Sequence, residues 1–263
     1  MMSKSLIAAF LAAGLALGVV AHDANASIGA TPPPSQEWTF NGIFGHFNRA
    51  QLKRGYQVYQ EVCAACHSLR QIYYRNLTEI GFSEDEVKEI AAEFEVPAGP
   101  NEEGETHEDG EPIMRPAKPF DKLVNPYAND NAARAANNGA LPPDLSLMTK
   151  ARKGGADYLH ALLIGFKDAP EDFKLQEGMS YNTYFPGNQI AMAAPIDDEA
   201  VEYADGTKAT KDQISRDVTA FLAWAAEPEL EERKRLGIKV MIFLIVFTAM
   251  LYAVKRRVWA KLH

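Results

Sequence analysis

The ten residues EVCAACHSLR, numbers 61–70, hold both cysteines of the 263-residue chain, and a histidine directly follows the second cysteine. This Cys-x-x-Cys-His spacing is typical of c-type haem attachment. Two thiols on one turn, Cys63 and Cys66, can each form a thioether with a haem vinyl group. His67 then lies where its imidazole can bind the iron. Such a cofactor constrains the fold strongly, because it supplies both a cross-link and a large apolar body for the core.

Other interpretations of the two cysteines fit less well. A structural zinc site needs four ligands, and the chain has no second cysteine pair. A thioredoxin-like redox pair needs a βαβ context, which the sequence does not show. A disulfide between residues three apart is uncommon. Because the chain carries one such motif, the sequence predicts one covalently bound haem c.

The amino terminus has the layout of an exported protein. Lys4 precedes an apolar run, Leu6 to Ala21, and a small-residue site follows at Ala24-Asn25-Ala26. This order predicts a signal peptide over residues 1–26 that is cleaved after export. The alternative is an uncleaved membrane anchor, but the run is short for a bilayer span. The segment is not rich in Arg and Ser as organelle presequences are, which favours a bacterial periplasm.

A second apolar segment, KVMIFLIVFTAMLYAVKRR, lies near the carboxyl terminus. The sequence predicts a transmembrane helix over residues 233–256, with Lys239 reaching back to the interface. The alternative is a buried core helix, which charge clusters at both ends disfavour. Basic residues after the span place the tail, residues 257–263, in the cytoplasm. The body, residues 27–232, is then periplasmic.

The body between the two apolar segments is predicted to be mostly α, with long loops and no strong strand pattern. Gly55 sits inside the first predicted helix, where it implies that another helix crosses closely. Four helices are predicted. The first covers 48–62 with Asn48 as N-cap, and the second begins at a Ser83–Glu86 capping box. The third covers 156–166, and the fourth begins at a Thr210–Gln213 capping box and ends at Pro228.

Charge narrows the range of partners. The net charge is −8, so nucleic acid is not an expected partner, because phosphate binding needs a basic face. Six carboxylates lie within residues 101–111, with no Lys or Arg among them. This loop is either a plain solvated loop or an acidic surface that docks a basic protein.

The second axial ligand of the haem iron is not fixed by spacing alone. Met192 lies in a loop with Pro and Gly before the last soluble helix, where a rigid loop can bring its sulfur over the haem. Met179 lies in the same loop and is the second choice. His160 belongs to an apolar helix and fits a packed core residue better. The remaining candidates are Met114, Met148 and His107.

As a whole, the chain resembles the cytochrome c1 family, the haem-bearing, membrane-anchored subunits of cytochrome bc1 complexes. The resemblance covers nearly the whole exported chain. It rests on RGYQVYQEVCAACHSL, GPNEEGE, MRPAKPF, ARAANNGALPPDLS, YFPGNQIAMAAPI and DVTAFLAWAAEPELEERKRLG, which occur in family order.

The resemblance implies a fold and a set of site residues. The fold would be a class I cytochrome c core with long loop insertions and one C-terminal transmembrane helix. The first and last soluble helices would cross at Gly55, with Phe221 or Trp224 as neighbour. Met192 would be the sixth iron ligand. The other implied residues are Arg134 beside a haem propionate, Pro142 and Pro143 on the His67 side, and Tyr127 and Tyr184 around the haem.

The resemblance also implies a function, which is single-electron relay from a Rieske iron–sulfur protein to a soluble basic c-type cytochrome. Cytochrome b and membrane lipid would be its other partners, in a bacterial inner membrane. The chain would act as a subunit of a ubiquinol–cytochrome c reductase without independent catalysis. Two alternatives are a free-standing membrane-tethered electron shuttle and a haem enzyme or gas sensor. Some bacterial relatives carry an extra cysteine pair before the axial Met; this chain has none, so loop packing must hold Met192.

Overall fold

The computed structural model describes residues 31–260. The predicted signal peptide, residues 1–26, lies outside the described residues, as do residues 27–30 and 261–263. Residues 31–260 are mostly helical, with short antiparallel ladders in the loops and one long apolar helix at the carboxyl end. The expected fold class, a mostly α class I cytochrome c core with long insertions and one C-terminal apolar helix, is confirmed.

The helices of the described range are α1 (Arg49–Val58), α2 (Glu84–Ala92), α3 (Asp130–Ala136), α4 (Met148–Ala151), α5 (Gly155–Ile164), α6 (Lys211–Ala226) and α7 (Leu230–Trp259). A π-helical turn, Tyr59–Cys63, continues α1, and a 3₁₀ helix covers Tyr74–Ile80. The strands are β1 (Glu95–Pro97), β2 (His107–Glu108), β3 (Glu111–Pro112), β4 (Met114–Pro116), β5 (Ser180–Tyr181) and β6 (Gln189–Ile190).

The crossing of α1 and α6 organises the core. A Cβ atom added to Gly55 would lie 2.1 Å from the backbone oxygen of Asp217 and 2.6 Å from the Cβ of Phe221. Only glycine allows this approach, because real Cβ atoms do not come that close to other atoms. The predicted crossing is therefore confirmed, with Phe221 as the neighbour of Gly55. Trp224 is also buried, and its ring stacks on that of Phe221.

Helix starts follow the predicted capping residues. The side chain of Asn48 accepts a hydrogen bond from the backbone N–H of Gln51 (3.2 Å), which confirms it as the N-cap of α1. Both bonds of the capping box form between Ser83 and Glu86 at the start of α2. These bonds satisfy amide groups that have no partner inside the helix.

The capping box predicted at α6 is only half correct. The side chain of Thr210 accepts from the backbone N–H of Gln213 (3.2 Å), as expected for an N-cap. The side chain of Gln213 does not return to Thr210; its amide donates to the buried carboxylate of Asp217 (2.8 Å). A buried carboxylate needs donors more than a helix terminus near solvent does. The end of α6 at Ala226 agrees with the stop predicted at Pro228.

The acidic loop is more regular than the sequence suggests. Strand β1 pairs with β4, and β2 pairs with β3 inside that frame, so residues 95–116 form two nested antiparallel ladders. The inner turn is made by Asp109 and Gly110, both with positive φ (50° and 87°). An Asp-Gly pair suits such a tight hairpin turn. The six carboxylates therefore lie on a hairpin whose residues 101–111 are all exposed.

Helix α7 differs from the other helices in what it exposes. It is 30 residues long, its most apolar window has a mean hydropathy of 2.2, and none of that window is buried. Its first residue, Leu230, packs into the domain, whereas large apolar side chains from Leu236 onward are exposed. A long helix that exposes apolar side chains on all its faces fits a single membrane span.

Candidate haem-binding site

The attachment turn, Cys63–His67, is placed by the end of α1. The backbone widens at the π-helical turn, where the N–H of Ala64 donates to the carbonyl of Tyr59 (2.8 Å). The N–H of His67 then donates to the carbonyl of Cys63 (2.9 Å), which closes a helical turn over the motif. Both cysteines are half-buried free thiols. Two free thiols and an imidazole on one turn are the donor set that covalent haem attachment requires.

The imidazole of His67 has a defined tautomer. Its Nδ1 lies 2.8 Å from the carbonyl oxygen of Pro143. Because a carbonyl oxygen can only accept, Nδ1 must carry the proton and donate, and the lone pair therefore resides on Nε2. Second-sphere bonds of this kind fix the orientation of metal-ligating histidines and raise their basicity. Tyr59 adds a further tie, since its hydroxyl donates to the backbone carbonyl of His67 (3.1 Å).

The Pro143 carbonyl is held in place by its neighbour, Asp144. One oxygen of Asp144 accepts from the hydroxyl of Ser68 and from the backbone N–H of Arg70, both at 2.8 Å. The other oxygen accepts from the backbone N–H of Ser146 (3.0 Å). Burial alone would raise the pKa of Asp144, but these hydrogen bonds outweigh it and hold the pKa below its usual value. An ionised Asp144 thus joins the proline segment to the attachment turn.

The ionisation of the site residues suits a haem. Burial raises the pKa of the Cys63 thiol to about 12, and neighbouring Cys66 adds to the shift. The Cys63 sulfur is therefore an uncharged thiol near neutral pH. Burial lowers the pKa of His67, although the bond to Pro143 and the charge of Asp144 oppose the effect. A neutral imidazole is the form that binds a metal ion.

The other residues implied for the haem surround lie around the same segment. Arg134 is exposed on α3, and its Nη1 donates to the carbonyl of Gly139 (3.1 Å). Tyr127 is half-buried and accepts from the side-chain amide of Asn137 (3.0 Å). The start of α3 is tied to the attachment region by an ion pair between Arg70 and Asp130 (3.5 Å). Pro142 is half-buried next to Pro143. Contacts of these residues with a haem remain predictions.

Met192 lies in a loop that is anchored on both sides. It is half-buried and follows β6 by two residues. Before it, the buried side chain of Asn182 donates to the carbonyl of Leu162 at the end of α5 (2.8 Å) and accepts from the backbone N–H groups of Tyr184 and Phe185. After it, Ile196 is buried in the core. The chain is therefore held on both sides of Met192, by hydrogen bonds at Asn182 and by core packing at Ile196.

Within residues 31–260, no hydrogen bond joins the Met192 loop to the attachment turn. The pairing of His67 with Met192 through one iron therefore remains a prediction. Met179, the second choice, is half-buried directly before β5. The half-buried ring of Tyr184 packs against Gly165, where an added Cβ would lie 2.6 Å from Cδ2.

The remaining histidine candidates agree with their predicted roles. His160 is 1% exposed, and its Nδ1 bonds with the hydroxyl of Ser215 (2.9 Å), so it is a packed core residue. His107 lies exposed on β2 of the acidic hairpin. Among residues 31–260, no group of three or more His, Cys, Asp and Glu side chains is arranged to hold a metal ion.

Two residues of the site were missed by sequence reasoning. Asp144 and Asn182 were not singled out, yet Asp144 bonds the residues just after His67 and Asn182 anchors the hairpin that precedes Met192. The Asp-x-Ser pattern at 144–146 is a local signal, because Asp side chains often bond the backbone two residues on. Asn182 carries the same kind of local signal in its bond to the backbone N–H of Tyr184, but its bond to Leu162 spans 20 residues and has none.

The chain is similar to known proteins over most of its length. Residues 38–262 match the sequence profile described as the Cytochrome C1 family. The chain is 46% identical to cytochrome c1 of Rhodospirillum rubrum, over 95% of this chain and 96% of that protein. It is 50% identical to the mitochondrial heme protein cytochrome c1 2 of Arabidopsis thaliana, over 87% and 73%. It is 42% identical to the mitochondrial cytochrome b-c1 complex catalytic subunit of Candida albicans, over 98% and 92%.

Proposed function

Because the chain belongs to the cytochrome c1 family, we propose that it is the haem-bearing electron-transfer subunit of a cytochrome bc1 complex. It would receive single electrons from a Rieske iron–sulfur protein and pass them to a soluble basic c-type cytochrome. A relative named as a cytochrome b-c1 complex catalytic subunit supports the assignment to that complex. The chain alone would catalyse no reaction, since quinol oxidation would occur on cytochrome b.

The observation that carries this proposal is the bond from His67 Nδ1 to the Pro143 carbonyl beside two free thiols. It presents an Nε2 lone pair on the turn that also bears Cys63 and Cys66. These residues would hold one haem c through two thioethers and one iron–nitrogen bond. The sulfur of Met192 would complete the coordination. When bound, the haem supplies an iron that gains and loses one electron between its ferric and ferrous states.

The protein residues would keep this electron transfer free of side reactions. His67 and Met192 together would leave no open coordination position, which disfavours oxygen or peroxide chemistry. Both ligands would be neutral, and Asp144 is already ionised and fully hydrogen-bonded. The change in iron charge would therefore require no proton uptake from these side chains.

We also propose the orientation of the chain in a bacterial inner membrane. The signal peptide over residues 1–26 would direct export, and the domain of residues 27–232 would lie in the periplasm. Residues 233–256, inside α7, would cross the membrane once, and residues 257–263 would lie in the cytoplasm. The basic side chains at the end of α7 support this orientation by the positive-inside rule.

Purification from membranes tests the proposed function. We expect the chain to copurify with a cytochrome b and an iron–sulfur protein, and to show a reduced-minus-oxidised spectrum of one haem c that denaturation and acidic acetone do not extract. Rapid carbon monoxide binding to the native reduced protein would instead favour the gas-sensor interpretation. Purification without the two partner proteins would favour an independent shuttle. A colourless product would contradict both the function and the site.

The acidic hairpin provides a prediction about the electron acceptor. All of residues 101–111 are exposed, so their carboxylates can attract a basic cytochrome over a distance. Neutralising Glu102, Glu103 and Glu108 to Gln is expected to lower the second-order rate of acceptor reduction roughly threefold to tenfold at low salt. Stopped-flow mixing over a series of ionic strengths measures this rate, which should also become less dependent on salt.

A matched variant controls for the loss of net charge. Asp168, Glu171 and Asp172 are three further exposed carboxylates, in a segment of the sequence outside the hairpin. Replacing them by Asn, Gln and Asn removes the same charge and should change the rate much less. Equal effects of the two triple variants would mean that only net charge matters. A wild-type rate that is indifferent to salt would remove the docking role from the hairpin.

A further inference from the structure

The loop between Phe40 and Phe47 carries the two most exposed large apolar side chains of residues 31–260. Ile43 is 69% exposed and Phe44 is 78% exposed. The two phenylalanines that flank the loop are buried, at 7% and 4% exposure, and their ring centroids are 5.0 Å apart. The ends of the loop are therefore part of the core, while its apolar tip, Ile43–Phe44, faces away from it.

The loop has a defined backbone. The N–H of His46 donates to the carbonyl of Thr39 (2.9 Å), which closes the loop at its base. The N–H of Gly45 donates to the carbonyl of Gly42 (3.3 Å), and Gly42 adopts a positive φ of 72°. The apolar tip is thus presented by a closed turn rather than by a frayed segment.

The loop is attached to the start of α7. The ammonium group of Lys234 donates to the carbonyls of Phe40 (2.6 Å) and Gly45 (3.2 Å). Glu231 accepts from the N–H of Phe47 (2.8 Å). The exposed apolar surface of α7 begins at Leu236, only about 3 Å further along the helix axis than Lys234. The apolar tip therefore lies beside the point where α7 starts to expose its apolar surface.

We propose that the apolar tip is a second membrane contact, which inserts into the headgroup region of the bilayer next to α7. The inference rests on the membrane-spanning role proposed for α7 and adds a contact made by the domain itself. Aromatic and aliphatic side chains are favoured at this depth of a bilayer. With α7 alone the domain could pivot about one helix, whereas two adjacent contacts would limit its tilt.

Position and area favour lipid over a protein as the occupant. Arg235 is exposed just before the apolar surface of α7 begins, where its long side chain can reach lipid headgroups. Two side chains offer far less than the roughly 800 Å² that each partner contributes to a stable protein interface. The apolar tip instead lies at the level where the apolar surface of α7 begins, and that surface is suited to lipid.

Photocrosslinking in native membranes tests this contact in the assembled protein. The photoreactive amino acid p-benzoylphenylalanine replaces Phe44 in one variant and Phe247 of α7 in a second. Phe120, which is 56% exposed in the domain, is replaced in a third as the matched control. We expect phospholipid adducts by mass spectrometry at positions 44 and 247, with a yield at 44 several-fold above that at 120. An unchanged haem spectrum reports correct folding of each variant.

The outcomes separate the lipid contact of the apolar tip from the membrane-spanning role of α7. Adducts at 247 without adducts at 44 would overturn the apolar tip as a lipid contact and leave α7 as the span. A dominant crosslink from 44 to another polypeptide would also overturn it, and would identify a protein interface instead. A lack of lipid adducts at both positions would contradict the membrane-spanning role of α7 together with this inference.

Discussion

Replacing Met192 by leucine is expected to lower the reduction potential of the haem by an amount on the order of a few hundred millivolts. Axial ligands set haem potentials over a range of roughly 0.8 V, and a methionine sulfur lies toward the upper part of that range. Leucine has a similar size and apolar character, so the loop anchored by Asn182 and Ile196 should keep its packing. The loss would be confined to the iron–sulfur bond.

A redox titration of the purified chain measures this change directly. Carbon monoxide provides an independent readout, because the variant would leave one coordination position open to a small ligand. The reduced wild-type protein should bind the gas slowly or not at all, and the variant should bind it rapidly.

Met179→Leu is the matched control for this experiment. Met179 and Met192 lie half-buried on either side of the β5–β6 hairpin, and the substitution changes the same atoms. Its potential should stay near the wild-type value, and its affinity for carbon monoxide should not rise. If Met179→Leu lowered the potential while Met192→Leu did not, the assignment of the sixth ligand would pass to Met179.

The features that could be predicted from the sequence are mostly local ones. The attachment turn is local, since Cys63, Cys66 and His67 lie within five residues, and the chemistry predicted for it follows from their spacing. The cap of α1 and the capping box of α2 are equally local and were predicted correctly. Gly55 gave a longer-range prediction because a helical glycine without a turn to make implies a close neighbour.

The features that were missed depend on contacts between distant parts of the chain. Asp144 bonds Ser68 across 76 residues, and no local pattern indicates which backbone it will meet. The side chain of Gln213 was expected at Thr210, but the buried carboxylate of Asp217 takes its amide instead. That carboxylate also pairs with Arg54 of α1 at 2.8 Å. Tertiary burial thus overrides a local preference at the helix crossing.

The strands of the acidic hairpin could not be predicted from the sequence for a different reason. Its composition, rich in carboxylates and turn formers, predicts a solvated loop, and its exposure agrees with that. Its two ladders are only two or three residues long, too short for the alternation of apolar and polar residues that predicts strands. The Asp-Gly turn at 109–110 was the available signal.

The second large effect is expected at the crossing of α1 and α6, where Gly55→Ala should destabilise the domain by about 3 kcal/mol or more. The new methyl group would lie 2.1 Å from the backbone oxygen of Asp217 and 2.6 Å from the Cβ of Phe221. Neither atom belongs to the flexible end of a side chain, so the two helices must move apart. For a domain of this size, the melting temperature should fall by roughly 10 °C.

The same movement would disturb the haem site, because α1 runs directly into the turn that carries Cys63. We therefore expect a reduced yield of haem-loaded protein, and Gly55→Leu should accumulate no haem at all.

Gly99→Ala is the matched control, since a Cβ there meets no atom within 4 Å. It should change stability by less than about 0.5 kcal/mol. Thermal unfolding followed by circular dichroism in detergent, with haem content per chain, measures both effects. A Gly55→Ala protein that melts with the wild type and carries full haem would mean that α1 and α6 do not meet at this glycine.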